Sequence, residues 1–382
     1  MLVTQVTLRR WAQVPRRLAL VTAPQADETL ASWVDRMARA NRCPPDEVAD
    51  LMGLHLRGVY ASSRPPVFGV QCDEAVRQAV YAATGVPGSA VNRMHLSVFE
   101  GGPLSVAALL SASKAHWPSA AREWAEVYGS RACPCCLLAS GGVWRLWWKL
   151  SCAAVCPEHQ VTLLDRCPTC GWVLRWGGAR PRVVPARWNR LPTCCANSVH
   201  GRPCAQWLPA ARVSRADERT VDAQRRWLDT AYRRAHPTLG GAKVSARQWF
   251  QAFRACATFL RLGMPTILGR LPDIPGWCAR ALLDERAERN VYRGQFGWGP
   301  ASAPAAAAFL TVVTPLLAAA DRRELTRGLA PLVRAAIEEG CLTTRPLMRL
   351  PMPGVFARAV AAQMPVGPSA RSPQRGSTRD EP

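Results

Sequence analysis

Cysteine and histidine pairs between residues 133 and 204 are the side chains whose types and spacing could do chemistry. Cys133 and Cys136 form a Cys-x2-Cys pair, and Cys156 and His159 form a Cys-x2-His pair after 19 intervening residues. A two-residue gap places two ligands on one tight turn, and a tetrahedral zinc ion takes four thiolate or imidazole ligands. The spacing therefore predicts a structural zinc site at these four residues, with Cys135 as the only competing thiol.

A second zinc site is predicted to begin at Cys167 and Cys170, which form another Cys-x2-Cys pair. Its partners should lie some 15–25 residues further on, and we assign them to Cys195 and Cys204. The gap between those two cysteines is wider than is usual for a zinc knuckle. Two substitutes therefore stay open, Cys194 and His200, and so does an exchange of pairs between the two metals.

The elements that must position these ligands lie on both sides of them. Upstream, apolar residues spaced three and four apart predict a helix from Asp27 to Ala40, and a second begins near Pro45 and ends at Gly53. A similar pattern returns 43 residues later, as a weak internal repeat. Downstream, helices are predicted at 217–235, 245–262, 277–289, 304–319, 321–339 and 354–363.

The net charge of +22 and the pI near 10.4 predict a polyanionic partner. Only three of the 49 basic residues are lysine, and arginine recognises phosphate bidentately. Residues 131–236 carry 17 basic and 6 acidic side chains, so the excess coincides with the cysteine pairs. Asp165 is the only acid between residues 160 and 216. We expect phosphate contacts from five arginines of this stretch: Arg175, Arg180, Arg182, Arg187 and Arg190.

Seven tryptophans surround the predicted zinc sites, at positions 144, 147, 148, 172, 176, 188 and 207. We expect them to supply the core that a small zinc module cannot build from aliphatic residues. Stacking on nucleic-acid bases is the alternative.

Three strings resemble the TniQ family of transposon target-selection proteins: Glu28 to Asn41, Trp144 to Leu150, and Val155 to Gly171, which holds Cys-Pro-Glu-His and Leu-Leu-Asp-Arg-Cys-Pro-Thr-Cys-Gly. The resemblance covers roughly residues 20–210. It implies a helix-turn-helix region, paired zinc ribbons and a helical C-terminal region. It also implies an adaptor that recognises DNA or an RNA-guided effector complex and recruits an AAA+ ATPase, without being a transposase.

The expected fold is mainly α with small zinc-ribbon β elements. Its expected parts are an N-terminal arm (1–26), a helix-turn-helix-like region (27–130), a paired zinc-ribbon module (131–209), a helical C-terminal domain (210–364) and a disordered tail (365–382). The near-neutral N-terminal region is expected to face protein partners. A second copy of the chain is one candidate, because helix-turn-helix proteins often pair.

We therefore expect a non-enzymatic, cytoplasmic targeting adaptor with two structural zinc ions and no membrane span. The uncharged stretch from Gly294 to Ala320 is rich in alanine and glycine and holds three prolines, which favours a buried helix over a span. One alternative is a sequence-specific helix-turn-helix regulator of transcription. A nuclease that uses scattered carboxylates is the other, although no acidic pattern or common hydrolase motif supports it.

Overall fold

The computed structural model describes residues 17–54, 69–111, 123–127, 129–174, 191–200, 202–271, 273–290, 297–340 and 351–364. Within these ranges the chain is mainly helical, with three two-stranded antiparallel sheets, which confirms the expected fold class. None of the described helices has the length and apolarity of a membrane span.

Two helix pairs form the N-terminal unit and repeat the same geometry. They are α1 (Leu30–Asn41) with α2 (Pro45–Leu51), and α3 (Glu74–Thr84) with α4 (Gly88–Arg93). The first helix of each pair ends on a left-handed residue, Arg42 or Gly85, and a proline then caps the second helix at Pro44 or Pro87. Both correspondences are 43 residues apart, as the sequence repeat predicts. The two pairs share one hydrophobic core, which contains Trp33.

Short elements surround the two predicted zinc sites. After α5 (Val106–Ser111) come α6 (Pro134–Ala139) and a 3-10 turn at Leu146–Lys149. Strands β1 (Val155–Cys156) and β2 (Val161–Thr162) form one hairpin, with Cys156 opposite Val161. Strands β3 (Ser198–Val199) and β4 (Arg202–Pro203) form another.

The described residues of the C-terminal region form six helices that match the predicted set to within a few residues. They are α7 (Glu218–Ala231), α8 (Ala246–Leu262), α9 (Gly276–Asn290), α10 (Ala303–Leu317), α11 (Arg322–Glu338) and α12 (Gly354–Ala361). A hairpin of β5 (Thr238–Leu239) and β6 (Ala242–Lys243) joins α7 to α8. Helix α10 is the alanine-rich segment, and it is buried on nearly every side.

Most of these helices begin at a side-chain cap. Asp217, Ser245, Ser302 and Asp321 each accept a hydrogen bond from a backbone N–H three residues later. Such a cap satisfies one of the unpaired N–H groups of the first turn and stabilises a helix by about 1 kcal/mol. One large hydrophobic core then joins these helices to the cysteine-rich segment.

Candidate metal centres

The first cluster brings together the four residues that the spacing predicts. Cys133 and Cys136 lie at the start of α6, where Pro134 occupies the first turn, and Cys156 ends strand β1. His159 lies in the β1–β2 turn, so its Nδ1 is 3.3 Å from the Sγ of Cys136 and 3.5 Å from that of Cys156. All four ligand atoms lie within 4.8 Å of one another. This arrangement could hold a metal ion.

The thiols of the first cluster lie so close together that ionisation of one disfavours ionisation of the next. Hydrogen bonds from Cys133 and Cys136 lower the pKa of Cys156 to about 2. The hydrogen bonds of Cys136 with Cys133 and Cys156 raise the pKa of Cys136. A bound dication removes this conflict, because it favours the thiolate form of every ligand.

The second cluster consists of Cys167, Cys170, Cys195 and Cys204, again within 4.8 Å of one another. The Sγ atoms of Cys167 and Cys204 are 3.7 Å apart, and those of Cys170 and Cys195 are 3.9 Å apart. The wide gap has a structural reason: hairpin β3–β4 fills it and returns the chain to the cluster. Burial raises the pKa of the Cys195 thiol, so this residue too requires a cation to become a thiolate.

The alternative ligands do not join either cluster among the described residues. Cys135 and Cys194 are half-buried free thiols beside Cys136 and Cys195. His200 is exposed at the tip of the β3–β4 hairpin, with a left-handed backbone. Each cluster also uses consecutive pairs, so the pairs are not exchanged between the two centres.

Asn197 is a residue of the second centre that spacing alone does not reveal. Its buried amide donates to Val173 O at 3.1 Å and lies 3.7 Å from the Sγ of Cys170. The backbone carbonyl of Asn197 accepts from Cys204 N at 2.9 Å. Asn197 therefore joins the knuckle at Cys170 to the hairpin that carries Cys204.

The N-terminal unit docks directly onto the first cluster's segment. Thr29 N donates to Trp144 O at 2.9 Å, and Glu28 and Arg145 face each other in an antiparallel bridge. Trp144 N donates to the Ser32 hydroxyl at 3.1 Å. These contacts fix the start of α1 against the chain that runs between Cys136 and Cys156.

The cysteine-rich segment is also fixed to the C-terminal helices through buried polar groups. Arg131 donates to Ser151 O and Ala153 O, both at 2.6 Å, and also reaches Pro300 O. Asp165, the single acid of its stretch, accepts from Ala303 N at 2.6 Å and so caps α10. Gln224 of α7 accepts from Ala154 N at 2.8 Å. These contacts place both cysteine clusters in one packed body with the helices.

The described tryptophans of this segment divide into two groups. Trp144, Trp147 and Trp148 are buried and pack edge to face, as the core interpretation predicts. Trp172 and Trp207, next to the second cluster, are 53% and 46% exposed, so the core interpretation is wrong for these two. Each follows a ligand of the second cluster by two or three residues. Trp176 and Trp188 lie outside the described residues.

The five arginines predicted to contact phosphate, at positions 175, 180, 182, 187 and 190, also lie outside the described residues. The structure therefore leaves their role as a prediction. The described residues on either side of that segment make local backbone hydrogen bonds: Leu174 N donates to Asp165 O, and Cys194 N donates to Leu191 O.

The TniQ family model matches the span that holds the N-terminal unit and the first cluster. The match covers residues 19–163. The resemblance predicted from the motifs is thereby confirmed, over a span that ends shortly after His159. TniQ proteins are non-enzymatic accessory proteins of transposition that act in target selection. The second cluster and the C-terminal helices lie beyond the matched residues, and no curated protein matches the chain.

Proposed function

We propose that this protein is a target-site-selection adaptor of a bacterial DNA transposon. It binds nucleic acid or a targeting complex in the cytoplasm and recruits an AAA+ ATPase that brings in the transposase. The observation that carries the proposal is the TniQ match over residues 19–163, which joins the helix-turn-helix-like unit to the first cluster. The contacts between residues 27–29 and 144–146 support treating these two parts as one functional unit.

The metal in both clusters is zinc. A tetrahedral ion with Zn–S bonds of about 2.3 Å and Zn–N bonds of about 2.1 Å separates two sulfurs by about 3.8 Å and a sulfur from a nitrogen by about 3.6 Å. The sulfur separations of 3.6, 3.7 and 3.9 Å agree with the first value. The separations of 3.3, 3.5 and 3.8 Å from the histidine nitrogen agree with the second. Four protein ligands close each site, so the zinc has a structural role.

The Arg-rich segment at 175–190 is the proposed phosphate contact. In the sequence it lies between the two ligand pairs of the second cluster, Cys167 with Cys170 and Cys195 with Cys204. Arg175, Arg180, Arg182, Arg187 and Arg190 follow one another with no acid between them. Their guanidinium groups would neutralise phosphates and release counterions, which makes binding depend strongly on salt.

The test is fluorescence anisotropy of the zinc-loaded chain with a labelled duplex of about 30 base pairs, over a series of salt concentrations. We expect affinity to fall by more than tenfold between about 50 and about 200 mM salt. Replacing the five arginines by glutamine should reduce the slope of log K against log salt by about 4 to 5, at roughly 0.9 per phosphate contact. The variant must keep the zinc content of the parent.

Binding that barely changes over this salt range contradicts the arginine argument. Tight binding to a single DNA sequence, without any ATPase partner, supports the alternative of a stand-alone transcriptional regulator.

A further inference from the structure

Helix α11 carries three arginines on one exposed face. Arg323, Arg327 and Arg334 are all exposed, and they follow a spacing of four and seven residues. At 3.6 residues per turn their directions differ by no more than about 40° around the helix axis. At 1.5 Å per residue they span about 16 Å along it. They therefore form a straight basic row, which we call the α11 row.

The carboxylates on the same helix are already engaged. Asp321 is the N-cap, and its Oδ1 accepts from Glu324 N at 2.8 Å. Glu324 accepts from Ala320 N at 2.7 Å. Glu338 lies one turn beyond Arg334, and its Oε2 accepts from Arg270 Nη2 at 2.6 Å. Asp321 lies close enough to Arg323 and Arg327 for their charges to help lower its pKa, after the hydrogen bond from Glu324 N.

Among the residues that the structure describes, no carboxylate lies within 4.0 Å of a guanidinium nitrogen of the α11 row. The nearest acids have other partners: Asp321 and Glu324, which flank Arg323, accept from backbone N–H groups, and Glu338, one turn beyond Arg334, accepts from Arg270. The guanidinium groups of the row are therefore not held in direct ion pairs with these acids.

The opposite face of α11 holds the row in a fixed position. Leu325, Leu329, Leu332 and Val333 are fully buried in the core that α11 shares with α8 and α12. Between the arginines the exposed side of the helix carries Thr326 and Ala330, which are small and uncharged. Between Arg327 and Arg334 a ligand therefore meets no acidic side chain of α11, and Glu338, one turn beyond Arg334, is paired with Arg270.

We propose that the α11 row binds the phosphate backbone of duplex DNA as a second contact, separate from the segment at 175–190. The row offers three guanidinium groups, so it can neutralise about three phosphates of a duplex. Arginine binds phosphate oxygens bidentately, which suits a row built without lysine. The inference rests on the proposed DNA-binding function and extends it to the C-terminal helices, beyond the TniQ-matched span.

The test uses the zinc-loaded full chain and the same labelled duplex over a salt series. The triple variant R323Q/R327Q/R334Q should reduce the salt slope by about 2 to 3, at roughly 0.9 per lost contact. Glutamine and arginine have similar helix propensities, so the variant should fold like the parent. The matched control R39Q/R42Q/R93Q removes the same charge from exposed positions of the N-terminal unit. Its slope should stay within about 0.5 of the parent value.

A single-residue comparison on the same helix sharpens the result. Arg322 is exposed but points about 100° away from Arg323, so R322Q should leave the slope unchanged while R327Q lowers it.

Four results would overturn the α11 row. Equal losses in the row variant and the control would mean that only bulk charge matters. An unchanged salt slope in the row variant, with a reduced slope in the 175–190 variant, would show that the α11 row does not contact DNA and would leave the proposed function unaffected. Equal effects of R322Q and R327Q on the salt slope would show that binding does not depend on this face of α11. A parent chain that binds no duplex would refute both proposed phosphate contacts, the α11 row and the segment at 175–190.

Discussion

Two pairs of adjacent cysteines allow the metal centres to be tested with controls one residue away. In each pair the second cysteine belongs to a cluster, Cys136 or Cys195, and the first does not, Cys135 or Cys194. Serine replaces the thiol with nearly the same shape but is a poor zinc ligand. We expect the parent and the variants C135S and C194S to hold two zinc ions per chain, and C136S and C195S to hold one.

The expected loss of stability follows from the burial and contacts of Cys195. Its side chain is 1% exposed, so a serine hydroxyl there loses its partners and costs about 1–3 kcal/mol. The stabilisation from bound zinc is lost as well, and it amounts to about 4 kcal/mol when free zinc is 1,000 times its Kd. For a chain of 382 residues, an unfolding entropy of about 2.1 cal/mol/K per residue gives about 1.2 °C per kcal/mol, so C195S should lower the Tm by about 6–9 °C. Cys194 is half-buried outside the cluster, and C194S should shift the Tm by only a degree or two.

The assay is metal content by mass spectrometry together with thermal unfolding of chains purified in the same zinc buffer. Loss of zinc in C194S with retention in C195S would assign the ligand to Cys194 and refute the geometry described above. Equal metal content in all four variants would refute the presence of metal centres at these residues.

Three further predictions concern contacts around the centres. N197A should weaken zinc binding at the second site by about 10- to 100-fold without changing the stoichiometry, because Cys170 and Val173 lose a buried hydrogen-bond donor. Competition with a chromophoric chelator measures the zinc affinity. An affinity within twofold of the parent value would contradict the role of Asn197. D165A should cost about 1–2 kcal/mol in thermal unfolding because it leaves Ala303 N, in the first turn of α10, without its acceptor, and D165N should cost less because its amide oxygen still accepts. Equal effects would mean that this hydrogen bond is unimportant. Burial lowers the pKa of His95, so the unfolded chain binds a proton near pH 6.5 that the native chain does not, and stability is lost as the pH falls through that value. H95Q should lose less stability than the parent between pH 7.5 and pH 5.5 in denaturant unfolding, and an equal loss would assign the acid sensitivity elsewhere.

The helices were predictable because their signals are local. Ser245 begins α8 with a capping box to Gln248, and Arg42 and Gly85 end the two repeated helices with left-handed turns. The 43-residue repeat also survives in the backbone, since each half needs the same turn to bury its apolar face. Such features depend on residues within one or two turns, and spacing along the chain displays them directly.

The metal ligands were predictable in part, and the hairpin explains why. A Cys-x2-Cys pair fixes its own geometry, whereas the return from Cys195 to Cys204 depends on hairpin β3–β4, which only pairing across the chain reveals. The role of Asn197 follows from that hairpin and has no signal in its spacing. The same holds for Asp165, whose partner Ala303 is 138 residues away.

Buried charge was the feature that composition obscured. The sequence predicts a basic surface, yet Arg131 and Lys149 are buried and donate to backbone carbonyls, Lys149 to Gly129 O at 2.9 Å. Arg261 is fully buried against Glu285, with Nη2 and Oε1 2.7 Å apart. A count of basic residues therefore overstates the charge that can meet a partner, and the α11 row had to be found from exposure.

The most direct test of the adaptor role is co-recovery of the zinc-loaded chain with the AAA+ ATPase encoded nearest to its gene, with and without duplex DNA and ATP. We expect a complex that depends on ATP and is strengthened by duplex DNA. We also expect C136S to weaken the complex, because this cluster lies in the TniQ-matched span against the N-terminal unit. No complex under any of these conditions, together with tight binding to one DNA sequence, would contradict the adaptor and identify a stand-alone regulator.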